Sequence, residues 1–275
     1  RYIFKVASPE ARRATTIWPL RTWCWFDGST QESIDHYYFA ISLKDQKMFA
    51  DFGPTQMDRM MGRIILAKSI EELTSCFHPG LRRFISSSGR TGPGELFGIQ
   101  DGLSHIVHTL SQRGALTDLG QATTVGGMPV YGHDAPPSTI ARQTLNSPWA
   151  PLWVSHMIDD KPLPYSAIMT YKMWGNYEAT PLWKVSYQGQ NYGLASLDVA
   201  SGNETVNLMA QWRRTDRQAE KAVDLSTLTC RYGINTVNLL DSVWHGQKNR
   251  NPNGSLDTHG GYTATFQYRN RALVF

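Results

Sequence analysis

The chain changes its periodicity once, from helix to strand, and that switch decides which folds are open to it. Before about residue 120, apolar residues recur three and four apart, the spacing of a helix with one buried stripe. Ser29 to Glu32 has capping-box spacing and leads into a predicted helix over 34–49 with Ile34, Tyr37, Tyr38 and Ile41 on one side. Gly53 and Pro54 end it. Met57, Met60, Met61, Ile64 and Ile65 then keep helical spacing as far as Lys68. Ser69 to Glu72 reads as another capping box, so a new helix start is expected there. His78-Pro79-Gly80 breaks the chain, Leu81 to Ser86 forms a short element, and 98–112 carries Ile99, Leu103, Ile106, Val107 and Leu110 on one stripe. Helices joined by short Gly/Pro loops predict antiparallel helical hairpins.

Residues 121–164 have no clear period and are punctuated by Pro and Gly. They read as a connector or a functional loop, with Tyr131, Trp149 and Trp153 favouring packing. From Tyr165 onward the segments are short and rich in β-branched and aromatic residues: 166–174, 182–187, 205–212, 225–232 and 262–268, with a strand-like run at 271–275. The expected class is therefore α+β. Helical hairpins occupy 1–120, the connector 121–164, and an antiparallel sheet, in the manner of a β-sandwich, 165–275.

Charge and cysteine usage exclude several function classes. Among 275 residues, 27 Lys and Arg against 23 Asp and Glu leave only +4, and no basic stripe stands out, so no nucleic-acid partner is expected. No apolar run approaches the roughly 18 residues that span a bilayer. Cys24, Cys76 and Cys230 cannot make a disulfide framework and read as buried thiols. There is no metal-ligating cluster of Cys and His, and residues 249–254 imitate a calcium loop without its opening Asp or the closing Glu, where Gly260 stands. No nucleotide loop or nucleophile elbow is present, so neither metal nor cofactor is expected. The chain opens on Arg1 and stops in an apolar run at Phe275, which suggests a piece or processed form of something longer.

The residues best suited to chemistry fall in both halves. On a helix Glu32, Asp35 and His36 share a face, with Tyr38 on the neighbouring side; a carboxylate beside an imidazole raises its basicity, as a general base requires. The same residues could equally plug a helix interface. Asn191 and Tyr192 follow a turn glycine; an amide can bond a substrate carboxyl and a phenol can protonate a leaving oxygen. In a strand Trp212 and Arg214 share one face and Arg213 takes the other. His245 is the best imidazole of the sheet half, whereas His105 and His108 read as core or interface histidines.

The order of helical hairpins, aromatic connector and antiparallel sheet resembles the polysaccharide lyases of the heparinase II/III and alginate-lyase type, as architecture over the whole chain and without a residue-level motif. The resemblance implies a partial α/α toroid joined to a β-sandwich, and an acidic, uronate-containing polysaccharide bound between them. It implies β-elimination, with His36 as base or carboxylate partner, Tyr192 as acid, and Asn191 and Arg213 neutralising the carboxylate. Tyr38, Trp212 and His245 would complete substrate binding. A secreted or periplasmic location would follow. Two alternatives stay open. One is a glycoside hydrolase pairing Glu32 or Asp35 with Asp101 or Asp118. The other is a non-catalytic carbohydrate-binding or structural piece.

Overall fold

The computed structural model describes Ile34 and residues 38–87, 102–113, 123–125, 128–130, 150–171, 182–197, 208–216, 225–230 and 265–274. The helical part comes first and a five-stranded antiparallel sheet second, so the class is α+β.

Helix α1 (Tyr38–Phe52) ends where the Gly53 amide closes back on the Phe49 carbonyl at 2.9 Å and Pro54 forbids continuation. Helix α2 (Gln56–Cys76) begins at a capping box: the Thr55 hydroxyl accepts from the Asp58 amide at 3.1 Å, and the Asp58 carboxylate accepts from the Thr55 amide at 3.0 Å. The two helices cross closely at Gly62, where a Cβ would stand 2.7 Å from the Ala50 nitrogen; no other residue fits there. The helix start expected at Ser69 is absent. Ser69 lies inside one continuous 21-residue helix, fully buried, and its hydroxyl bonds the Ile65 carbonyl one turn back at 3.0 Å. A buried Ser that satisfies itself on its own helix needs no break.

Helices α3 (Gly102–Leu110) and α4 (Trp153–Asp159) complete the helical part. The core joins Phe39, Leu43, Ile65, Ile70 and Leu73 to Leu103, Ile106, Val107, Val154 and Ile158. Asp159 ties α4 to the end of α3 by accepting from the Ser111 hydroxyl and from the Gln112 amide at 2.8 Å. Helix α4 lies within the segment read as a connector or functional loop: it sits among the prolines, and Val154 and Ile158 bury one short stripe that seven residues are too few to announce. A small hairpin, β3 (Thr123–Val125) with β4 (Met128–Val130), lies in the same segment.

After α2 the chain makes a tight hairpin, β1 (Phe77–His78) with β2 (Arg83–Phe84), in which Phe77 and Phe84 meet edge to face at 5.4 Å. Arg82 closes its turn at φ 55°. The main sheet is a meander of β5 (Tyr165–Tyr171), β6 (Leu182–Gln188), β7 (Tyr192–Leu197), β8 (Leu208–Arg213) and β9 (Leu225–Cys230), hydrogen-bonded in that order. A final hairpin, β10 (Thr265–Tyr268) with β11 (Arg271–Val274), meets β7, where the Gln267 amide donates to the Leu194 carbonyl at 3.0 Å. Strand β7 is the element absent from the sequence reading. Its Gly193 looks like a turn residue, yet it is in the strand because Ile85 packs there, 2.5 Å from where a Cβ would be. Among the described residues no helix is long and apolar enough to cross a membrane.

The pairing registers sort each strand's side chains onto two sides of the sheet. One side, toward the helices, carries Ala167, Lys184, Ser186, Gln188, Ala195, Met209 and Gln211, all buried. The other carries Ile168, Trp183, Tyr187, Tyr192, Leu194, Trp212 and Leu228. Of these, Ile168 is 66% exposed, Trp183 54%, Leu228 51% and Trp212 40%. In β6 the usual polarity is inverted: lysine, serine and glutamine face in while tryptophan, valine and tyrosine face out. The inward side is therefore held by polar bonds, and the outward side is an aromatic surface.

Candidate functional site

The buried polar side of the sheet joins sheet to helix through Lys184 and Gln188. Lys184 on β6 bridges to Glu72 on α2 at 2.8 Å, with both side chains almost wholly out of water. Lys161, which follows α4, inserts its ammonium at the C-terminal end of α2. It donates to the carbonyls of Thr74 (2.6 Å), Ser75 (3.2 Å) and Phe77 and to the Gln188 side-chain oxygen (3.2 Å), and lies 4.7 Å from the centre of the Tyr165 ring. A cation at this end of a helix satisfies its orphan carbonyls and opposes its dipole. Burial pushes the Lys161 pKa down to about 7, and the neighbouring Cys76 thiol opposes this. Between the two lysines sits Cys76, a free and fully buried thiol whose pKa burial raises and whose neighbouring lysines oppose that rise. Gln188 returns a bond to the Ser75 carbonyl at 2.7 Å, and Ser186 bonds the Ile85 carbonyl at 2.6 Å.

His78 completes this layer. Its Nδ1 accepts from the amides of Gly80 and Leu81, both at 3.1 Å, which leaves the proton on Nε2 to reach the Gly189 carbonyl at 2.7 Å. Burial lowers its pKa to about 4, the bond to Gly189 opposes this, and the charges of Lys161 and Arg213 add to the lowering. With both nitrogens committed, His78 holds the β1–β2 turn against the β6–β7 turn and is not free to act as a base.

The aromatic side is different, because its groups face outward with capacity to spare. Tyr192 opens β7 and pairs across the sheet with Trp212 on β8. Its ring lies on Gly189, where a Cβ would come within 2.4 Å, and 6.1 Å from the Tyr187 ring. Burial and the neighbouring Tyr187 hydroxyl raise the Tyr192 pKa; the side chain of Asn270, within hydrogen-bonding reach at the tip of β10–β11, partly offsets this. The phenol is thus kept as a proton donor and touched by two polar groups.

The residues singled out in the sheet half meet as two cross-strand pairs. Asn191 and Arg213 are opposite each other, joined by the Arg213 amide bonding the Asn191 carbonyl at 2.8 Å. The neighbouring rung is Tyr192 with Trp212. Adjacent rungs project to opposite sides, so the Arg213 guanidinium turns toward β1–β2 and bonds the Gly80 carbonyl at 2.8 Å, away from the Tyr192 phenol. Tyr38 is the first residue of α1. His36 and His245 lie outside the described residues, as do Glu32, Asp35, Asp101 and Asp118. Among the described residues no group of three or more His, Cys, Asp or Glu could hold a metal ion.

Sequence reasoning missed Asn270 and its flanking arginines, Arg269 and Arg271, although a signal was there. The triplet Arg269-Asn270-Arg271 separates two apolar strand-like runs, as a hairpin turn does. Comparison of the chain with protein-family models, with curated proteins and with solved structures finds no match in any of the three.

Proposed function

We propose that the chain is a carbohydrate-active protein, a polysaccharide lyase that binds an acidic, uronate-containing polysaccharide on the aromatic side of its sheet. The observation that carries this reading is the pairing of half-buried Tyr192 with exposed Trp212 on a sheet side that also presents Trp183 and Tyr187. Sugar rings stack on such flat aromatic faces through their C–H groups, and a half-buried phenol kept protonated can serve as a general acid. In this reading the helices belong to a partial α/α toroid, and the sheet with β10–β11 against it belongs to a β-sandwich.

In the β-elimination a base removes the proton beside the uronate carboxylate. The freed electron pair forms the ring double bond as the glycosidic C–O bond breaks. Tyr192 gives its proton to the departing oxygen; afterwards the base releases the proton it took to solvent and Tyr192 regains one. His36 is the candidate base. The products are an unsaturated uronate end and a new hydroxyl, with no water consumed.

A binding-only role is the second reading, favoured by one observation: His78, which stands beside the β6–β7 turn that leads into Tyr192, has both nitrogens engaged and supplies no base. Incubation with alginate, heparan, hyaluronan and ulvan separates the readings. Unsaturated product supports elimination, saturated product indicates hydrolysis, and retention without cleavage indicates binding alone. Neither cleavage nor retention of any acidic polysaccharide would contradict the proposal.

A further inference from the structure

We infer that the tip of the β10–β11 hairpin, with Tyr268, Arg269, Asn270 and Arg271, is an anion subsite that reads the acidic group of a bound polysaccharide beside Tyr192. The inference rests on the proposed polysaccharide reading and names the group that selects its substrate. Four observations carry it. The Gln267 bond to the Leu194 carbonyl at 3.0 Å holds the hairpin on β7, two residues from Tyr192, and Asn270 at its tip interacts with the Tyr192 phenol, so the tip and the candidate acid share one location. Tyr268 and Arg271 are a cross-strand pair, and the Arg269 guanidinium lies 5.4 Å from the centre of the Tyr268 ring. One cation therefore lies over an aromatic ring that is 64% exposed, and a second arginine is that ring's cross-strand neighbour.

Among the described residues Arg269 and Arg271 pair with no carboxylate, in contrast to Arg113, bonded to Asp160, and Arg214, bonded to Asp216, each at 2.5 Å. Finally, Arg269 holds φ at 53°, a left-handed conformation that side chains other than Gly, Asn and Asp seldom adopt. Gln267 bonds the Arg269 carbonyl at 2.8 Å and fixes that turn. An arginine kept where glycine would be relaxed points to a use for its side chain.

Planar guanidinium groups match the two oxygens of a carboxylate or sulfate, and the exposed Tyr268 ring beside them offers a stacking surface. The chemistry fits an acidic sugar better than a nucleic acid: the cations are two and local, without the extended basic stripe a phosphate backbone requires. Arg213, turned to the other side of the sheet, is replaced in this role by the hairpin arginines.

The test measures binding of the whole chain to alginate and to heparan sulfate, with single-stranded DNA as competitor. Arg269→Gln/Arg271→Gln should weaken anionic-glycan binding roughly tenfold and flatten its salt dependence. Tyr268→Ala should weaken it with the salt dependence kept. The substituted side chains are exposed, and unchanged thermal unfolding checks that the variants fold. If wild type binds these glycans and the double variant binds as tightly, the subsite is overturned while the polysaccharide reading stands. If wild type binds neither glycan, the subsite is overturned; the polysaccharide reading falls with it when hyaluronan and ulvan are not retained either. Displacement by DNA at equal charge concentration would also overturn the subsite, reassigning the tip to polyanions in general.

Discussion

Acidification should unlock the β1–β2 turn from the sheet through a single side chain, His78. The fold holds its imidazole neutral, with Nδ1 facing two backbone N–H donors; a proton there would set three hydrogens against one another. The folded pKa, about 4, lies below the ordinary value of 6.5, so the unfolded chain binds the proton first as pH falls. The contribution is therefore fully present above about pH 6.5 and is lost progressively toward pH 4. A separation of about 2.5 units, at 1.36 kcal/mol each, is worth about 3 kcal/mol, of which about 2 kcal/mol is gone by pH 5. Urea unfolding of wild type and His78→Gln at pH 7, 6, 5 and 4.5 measures it. Carboxylates titrating in the same window act on both proteins and cancel in the difference. The variant should be less stable at pH 7, with the gap narrowing by about 2 kcal/mol at pH 5. A constant gap, or a His78 ring resonance titrating near 6.5, would refute the reasoning.

Two further perturbations address the joint between helix and sheet. Lys184→Met leaves the Glu72 carboxylate buried without its cation and should cost about 3–5 kcal/mol, lowering Tm by roughly 10 °C. Adding Glu72→Leu should recover most of that loss; additive losses in the double variant would show that the pair is not coupled. Gly193→Ala places a methyl against the fully buried Ile85 and should cost about 1–3 kcal/mol by thermal unfolding, whereas an unchanged Tm would mean that β7 does not pack as described.

Much of the fold was legible because helical stripes and β-branched segments obey local rules, as in α2 up to Lys68 and in β6 over nearly its whole length. The misreadings share a cause in tertiary packing. Ser69 through Glu72 has the letters of a capping box, but Ser69 and Glu72 are buried, Glu72 against a lysine 112 residues away. Strand β7 escapes the sequence reading because its Gly193 lacks a side chain to signal burial, and only Ile85 packed over it shows why glycine stands there. Lys184 faces in between outward Trp183 and Val185 because it meets the buried Glu72 carboxylate, a contact that residue type alone does not reveal. The Tyr192–Trp212 and Asn191–Arg213 pairings depend on strand register, which residue type does not reveal. Lys161 belongs to no motif; four acceptor oxygens, three of them around the end of a distant helix, define its place.

The central claim is that the aromatic side of the sheet acts on acidic polysaccharide through the Tyr192 phenol. Its most direct test compares wild type with Tyr192→Phe on whichever of alginate, heparan, hyaluronan or ulvan the protein binds, following the absorbance of the unsaturated product and, separately, glycan retention. Loss of a general acid should lower kcat by about a hundredfold or more, with retention nearly unchanged because the ring remains beside Trp212. Equal rates of product formation in the two proteins would contradict the account.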